Sequence, residues 1–189
     1  MANIAFMMEN YGAMATACEK AILIDSANAT AHYLYAEACK GQGDDVNTIA
    51  MATKAISLDS KQGNAYLLRG ETYLHTQQLT EAEADVAWLL EHTEDNEDVL
   101  LLKARIERAA TRNDEAIEYF TKAIDANPFS YTAFKERSEM YSLVGNEAKA
   151  KEDAERAEEL MPTDGKENAE ENIEKQLNDK YKQMNPYGF

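Results

Sequence analysis

Cysteine, proline and glycine are all scarce in this chain: 2, 3 and 8 among 189 residues. Basic residues are outnumbered by acidic ones, 19 against 35. Each scarcity excludes something. Cys18 and Cys39 stand in no metal-ligand or redox-motif spacing, so no disulfide framework staples the fold, and both read as small buried apolar residues. No apolar run approaches the roughly 18 residues that cross a bilayer. The opening "MANIAFMMENYGAM" lacks the basic start and long apolar stretch of a secretory leader, so the chain as written is expected to be cytoplasmic, and exported only if a leader once preceded it. The formal net charge of −16 opposes approach to phosphate backbones and anionic lipid surfaces, so neither nucleic acid nor membrane is an expected partner.

Catalytic signals are missing as well. An enzyme needs a convergent nucleophile, base and orienting group, or a metal with spaced ligands. Neither pattern is found, and no enzyme activity, cofactor or metal is expected. The histidines fall in unlike places: His32 in a packing column, His75 near a turn, His92 in a loop. The carboxylate-rich "HTEDNED" lacks the glycine and the closing glutamate of a calcium loop, and reads as a solvated connection in which Asp95 or Asn96 caps a helix. The acidic run "EDAERAEEL", interleaved with Lys149, Lys151 and Arg156, reads as an exposed helix face.

A repeat is what the sequence does contain. The stretches "DVNTIAMATKAISLDS" (45–60), "NDEAIEYFTKAIDANP" (113–128) and "NEAKAKEDAERAEELMP" (146–162) share one grammar. At a period of 34 residues Ala36, Gly70, Ala104 and Ser138 align as a column of small residues. Thr48, Ala82, Ala116 and Ala150 make a second. Ala55, Ala123 and Ala157 make a third, with Leu89 in the remaining copy. Bulky columns lie between: His32, Tyr66, Leu100 and Phe134, then Cys39, Tyr73 and Tyr141, with Glu107 as the exception. Small and large residues alternating at helical spacing are what two antiparallel helices need to interdigitate. The turns "GQGDD", "TRND" and "LVGN" fall between the two helices of successive copies. Pro128 and Pro162 end the third and fourth, where Ser26 and Ser60 hold the corresponding slots earlier.

On these residues the chain resembles the tetratricopeptide repeat (TPR) family, most closely over "AFKERSEMYSLVGNEAKAKEDAERAEELMP". The resemblance implies an all-α, right-handed superhelical solenoid of helix hairpins. Four full copies are expected over residues 29–62, 63–96, 97–130 and 131–164. Residues 1–28 resemble the second helix of an incomplete copy, with "MANIAFMM" too short for a normal first helix. The N-terminal end is then either a truncated start or a surface on which Phe6, Met7 and Met8 bury a second copy of the chain. The stripe Ala169, Ile173, Leu177, Tyr181 and Met184 predicts a capping helix over 165–184, and residues 185–189 a flexible tail, with docking of Tyr187 and Phe189 as the alternative.

In the family, first helices line a concave groove that holds partner segments. The frame places Tyr33, Leu67, Leu101 and Lys135 in one inward row; Glu37, Glu71, Arg105 and Glu139 in the next; and Lys40, Leu74, Arg108 and Ser142 beside them. The function implied is a protein-binding module or scaffold, with an unidentified protein or peptide as partner. The alternative is a structural subunit that assembles through its array ends. Tyr33, Leu67 and Leu101 either grip a partner or pack between helices. Arg105, Arg108 and Lys135 form a basic cluster that either recognises an acidic group or pairs with Glu71 and Glu139. Family members that bind acidic chaperone tails carry a clamp of Lys, Asn and Arg. Here the clamp slots hold Tyr33, Glu37, Leu68, Asp98 and Leu102, which argues against that specialisation. Trp88, on the outward side of a second helix, is expected to be partly buried.

Overall fold

A helix that starts at residue 29 starts again at 63, 97 and 131, and its partner recurs in the same way. The structure, a computed structural model, describes residues 2–93 and 96–161, with side chains from residue 10 onward. The helices are α1 (Ala2–Ile24), α2 (Ala29–Gly41), α3 (Asp45–Leu58), α4 (Gly63–His75), α5 (Leu79–His92), α6 (Glu97–Ala109), α7 (Asn113–Ala126), α8 (Tyr131–Leu143) and α9 (Glu147–Leu160). Among the described residues there is no strand, and no helix is long and apolar enough to cross a membrane. The expected capping helix and tail, 165–189, lie outside the described residues, as do Pro162, Asp95 and the side chains of Phe6, Met7 and Met8.

Local chemistry sets the ends. Asn28, Asp44, Asn96, Ser130 and Asn146 each accept a backbone N–H of the helix that follows, so five starts carry a side-chain cap. Asn96 thus does the capping in the acidic connection. His92, expected in that loop, is instead the last residue of α5. Between the two helices of each hairpin one residue adopts left-handed backbone: Gly43 (φ 76°), Gln77 (60°), Thr111 (61°) and Gly145 (78°). Copies two and three therefore place a side chain where glycine fits best, and the β-branched Thr111 is the poorest choice. A Cβ added at Gly43 or Gly145 would meet nothing within 4 Å, so only the backbone angle favours glycine there. Thr111→Gly is expected to stabilise the fold by about 1 kcal/mol, read as a rise in melting temperature. A fall would mean that the Thr111 hydroxyl bond to the Ala110 carbonyl (2.7 Å) matters more than the strain.

Helices pack as consecutive pairs, α2 on α3, α4 on α5, α6 on α7 and α8 on α9, and each pair on the next. First helices also touch across repeats, α2 with α4 and α4 with α6, whereas no comparable packing joins α3, α5, α7 and α9 to one another. The small columns explain the close approach. Ala36, Ala104, Ala82, Ala116, Ala55 and Ala123 are fully buried, and Gly70 sits where an added Cβ would come within 3.1 Å of Leu102 Cδ2. Clusters cross from hairpin to hairpin: Ala82, Val86 and Leu89 pack on Val99, Leu102 and Ile106, while Leu100, Leu101 and Ala104 meet Ala116, Phe120, Ala133 and Met140. This is a helical-repeat solenoid whose apolar seam no single hairpin could close. At its N-terminal end α1 is one continuous helix through Ala2, packed on α2, so residues 2–10 prolong it and do not turn back as a first helix.

A second, polar seam runs through the same stack. Arg69 on α4 donates from Nε and Nη2 to both carboxylate oxygens of Asp85 on α5 (2.9 and 2.6 Å) and from Nη1 to Thr53 on α3 (3.0 Å). Two repeats on, Arg137 does the same to Asp153 and Thr121. Each arginine ties its own hairpin to the one before. Burial works against the Arg69 charge, and the Asp85 bonds more than reverse this, holding its pKa above the ordinary value. In the copy between, Lys103 faces the Tyr119 ring (5.7 Å). In the first, Tyr35 donates to Glu19 of α1 (2.7 Å), so Glu19 holds on α1 the slot that Thr53 and Thr121 hold on α3 and α7.

Glu107, the exception among the bulky columns, is buried and pairs with Lys103 and Arg112, and Arg112 also reaches Glu83. Burial raises the Glu107 pKa, but the bonds from Arg112 and Lys103 outweigh it and hold the carboxyl below its usual value. A depressed folded-state pKa contributes stability above the unfolded value, about 4.3, that is lost as pH falls through the folded one. Glu107→Gln is therefore expected to cost about 1.5–3 kcal/mol at pH 7, with the gap to the parent closing toward pH 3. A gap independent of pH, followed by thermal unfolding, would contradict the pairing.

A candidate protein-binding cleft

Three helices at the N-terminal end meet around a cleft of about 600 Å³. Tyr11 and Met14 come from α1, Tyr33, Glu37, Lys40 and Gly41 from α2, and Asn64, Leu67, Leu68 and Glu71 from α4. Helical spacing puts Tyr33, Glu37 and Lys40 on one face of α2, and Leu67 and Glu71 on the matching face of α4. The polar groups are held in place. Tyr33 Oη donates to Glu37 Oε1 (2.6 Å), and the Lys40 ammonium donates to Glu71 across the two first helices. Burial, then the bond to Glu37 and the charges of Glu37 and Glu71, push the Tyr33 phenol above its ordinary pKa, so it stays a neutral donor. Gly41 shapes one wall: a Cβ there would lie 2.5 Å from the Tyr11 ring, so any other residue would push that ring from its place.

The inward rows read from the sequence do not form one strip. Tyr33, Glu37, Lys40, Leu67 and Glu71 converge on the cleft, and the others go elsewhere. Leu101 is 5% exposed and packs on Ala133 of the next hairpin, so at this position packing wins and the row breaks. Leu74 is half-buried against the α5–α6 cluster. Arg105 donates to both oxygens of Glu136 (2.9 and 3.0 Å from Nε), and Arg108 pairs with Glu136 (3.3 Å) and Glu139 (3.5 Å). Lys135 stands apart, in a groove of about 280 Å³ with Tyr131, Ser138, Ala154, Ala157 and Met161, on α8, on α9 and just after it, and Ser142 is exposed. Arg105, Arg108 and Lys135 thus make no open basic cluster. The two arginines are taken by Glu136, a partner the sequence reading missed, and Glu71 pairs with Lys40 instead.

Tyr11, Met14, Gly41, Asn64 and Leu68 were missed as cleft residues. Met14 had a signal: the 34-residue frame carried back onto α1 puts it in the column of Thr48, Ala82, Ala116 and Ala150. Those residues must be small because a first helix of the same hairpin crosses them; among the described residues α1 has no such partner, and a long side chain fits.

The family model described as tetratricopeptide repeat matches residues 67–131 and 101–164, together more than half of the chain. The chain belongs to the tetratricopeptide repeat family. No curated protein matches it in sequence. Among solved structures this TPR array is similar to MamA (TM-score 0.72, 18% identity, 80% of this chain and 89% of that one). It is also similar to TTC0263, a thermophilic TPR protein of Thermus thermophilus (0.71, 15%, 85% and 88%). A third is YrrB, described as a TPR protein with an unusual peptide-binding site (0.66, 20%, 86% and 84%).

Within the TPR frame the slots compared with an acidic-tail clamp fall apart too. Leu68 and Leu102 are buried, Asp98 is on the first turn of α6, and Tyr33 and Glu37 bond to each other. Away from the cleft, Trp88 is half-buried in a stack of rings, 3.9 Å from Tyr66 and 4.3 Å from His92 between centroids. Cys18 and Cys39 are buried free thiols. His32 is buried, its Nε2 3.1 Å from the Ser26 carbonyl.

Proposed function

We propose that this TPR array is a non-catalytic protein-interaction module that takes a segment of a partner protein into the cleft between α1, α2 and α4. The observation that carries this reading is the cleft itself: apolar walls from Tyr11, Met14, Tyr33 and Leu67, with Glu37, Lys40 and Glu71 already fixed at its rim. A groove whose side chains are held before the ligand arrives loses little freedom on binding. Selection of a random peptide display library on the full chain tests it. Selected peptides are expected to compete with one another and to lose binding when Leu67→Ser and Tyr33→Ser are introduced into a chain that still melts cooperatively. Peptides indifferent to both changes would place the site elsewhere.

A second reading, assembly through the array ends, is favoured by Leu23 and Ile24, which are 86% and 89% exposed at the end of α1. The slot of Leu23 is Ser57, Glu91, Asp125 and Glu159 in the other copies. Mass measured across concentration separates the readings: this one needs a species larger than one chain with no peptide added.

A further inference from the structure

The charges of the cleft do not balance. It is lined by two carboxylates, Glu37 and Glu71, and one ammonium, Lys40, and that ammonium is bonded to Glu71. Glu37 bonds only a neutral group, the Tyr33 hydroxyl, and no cation among the described residues forms an ion pair with it. Two other carboxylates on the first helices are neutralised: Glu136 holds Arg105 and Arg108, and Glu107 holds Lys103 and Arg112. The field of Glu37 is felt around the cleft, since both the Cys18 thiol and the Tyr33 phenol are pushed up first by burial and then in part by this carboxylate. A half-buried carboxylate without a counter-charge favours any cation that reaches it, and a charge-assisted bond there is stronger than one in open water.

We propose that the occupant of the cleft is a cationic segment of a partner protein, with a lysine or arginine on Glu37 and a neighbouring large apolar side chain seated against Met14, Tyr33 and Leu67. This rests on the cleft being the binding site and adds the chemistry of its ligand. The apolar walls alone would accept many sequences. The unpaired carboxylate at the rim, in a chain of net charge −16, selects among them by attracting basic segments and repelling acidic ones. Because Lys40 is committed to Glu71, an acidic ligand would meet an unfavourable field and gain no free cation.

The test uses peptides from the random library selected on the full chain, with Glu37→Gln as the discriminating variant, since glutamine still accepts the Tyr33 hydroxyl and removes only the charge. Lysine and arginine are expected to exceed aspartate and glutamate in the selected pool, beside a phenylalanine, leucine, methionine or tyrosine. Synthetic copies should bind the Glu37→Gln chain roughly tenfold more weakly, with a flatter dependence on salt. A pool rich in acidic residues, or binding that Leu67→Ser abolishes and Glu37→Gln leaves unchanged, would overturn the cationic assignment while the cleft stands. Binding that neither change touches would overturn the cleft as well.

Discussion

Asp85→Ala is expected to cost about 3–5 kcal/mol, because it strands the Arg69 guanidinium in a largely buried place without its carboxylate. The side chains of Asp85 and Arg69 are only 5% and 15% exposed, and their two bonds are parallel and short. Losing the pair also frees the tie to Thr53, so α3, α4 and α5 loosen together. Asp153→Ala should act in the same way on α7, α8 and α9. The mechanism is separable from the size of the effect. Replacing both partners, Arg69→Met with Asp85→Leu, removes the stranded charge, and its cost should be far below that of the single change. Urea unfolding followed by helical circular dichroism and by Trp88, the only tryptophan, reads all three variants. A single-variant loss under about 1 kcal/mol would show that the pair is solvated in a way its burial does not suggest.

Phe120→Ala should be as severe, about 3–5 kcal/mol, for a different reason. Phe120 is fully buried in a cluster that draws on α6, α7 and α8. Its ring shares that cluster with Leu100, Leu101 and Ala104 of α6 and Ala133 and Met140 of α8, so truncation leaves a cavity in a core drawn from three helices. Phe120→Leu, which keeps most of the volume, should lose a fraction of that. The same unfolding experiment measures both, and equal losses would mean that the site collapses around the smaller side chain instead of keeping a void.

The helix hairpins were legible in the sequence because packing constrains composition at the crossings. Where backbones nearly touch, only Ala, Gly, Ser or Thr fits, so Ala36, Gly70 and Ala104, or Ala82 and Ala116, announce themselves without knowledge of any partner. The cleft was half legible. Periodicity gives a residue's angle around its helix but not the depth of what lies opposite: Leu67 and Leu101 share a row, yet Leu101 is buried in a cluster drawn from α6, α7 and α8, while Leu67 is half-buried against the α5–α6 cluster and also lines the cleft. The charged partners were less visible still. Arg69–Asp85 and Arg137–Asp153 recur two repeats apart, and a search for apolar columns discards charged residues at the start. Glu107 looked like a departure for the same reason: Lys103 and Arg112 satisfy it from positions that carry no apolar signal. The left-handed turns show the converse. Gly43 and Gly145 mark them, but Gln77 and Thr111 hide the same geometry, because a folded array tolerates about 1 kcal/mol of local strain where the rest of the stack fixes the turn.

The sharpest test of the binding cleft is to titrate a library-selected peptide into isotopically labelled full-length chain and map the shifted backbone and side-chain resonances. The prediction is a cluster at Met14, Tyr33, Glu37, Leu67 and Glu71, with α8 and α9 silent. Shifts centred on Arg105, Arg108 and Glu139, or on the Tyr131–Met161 groove, would contradict it.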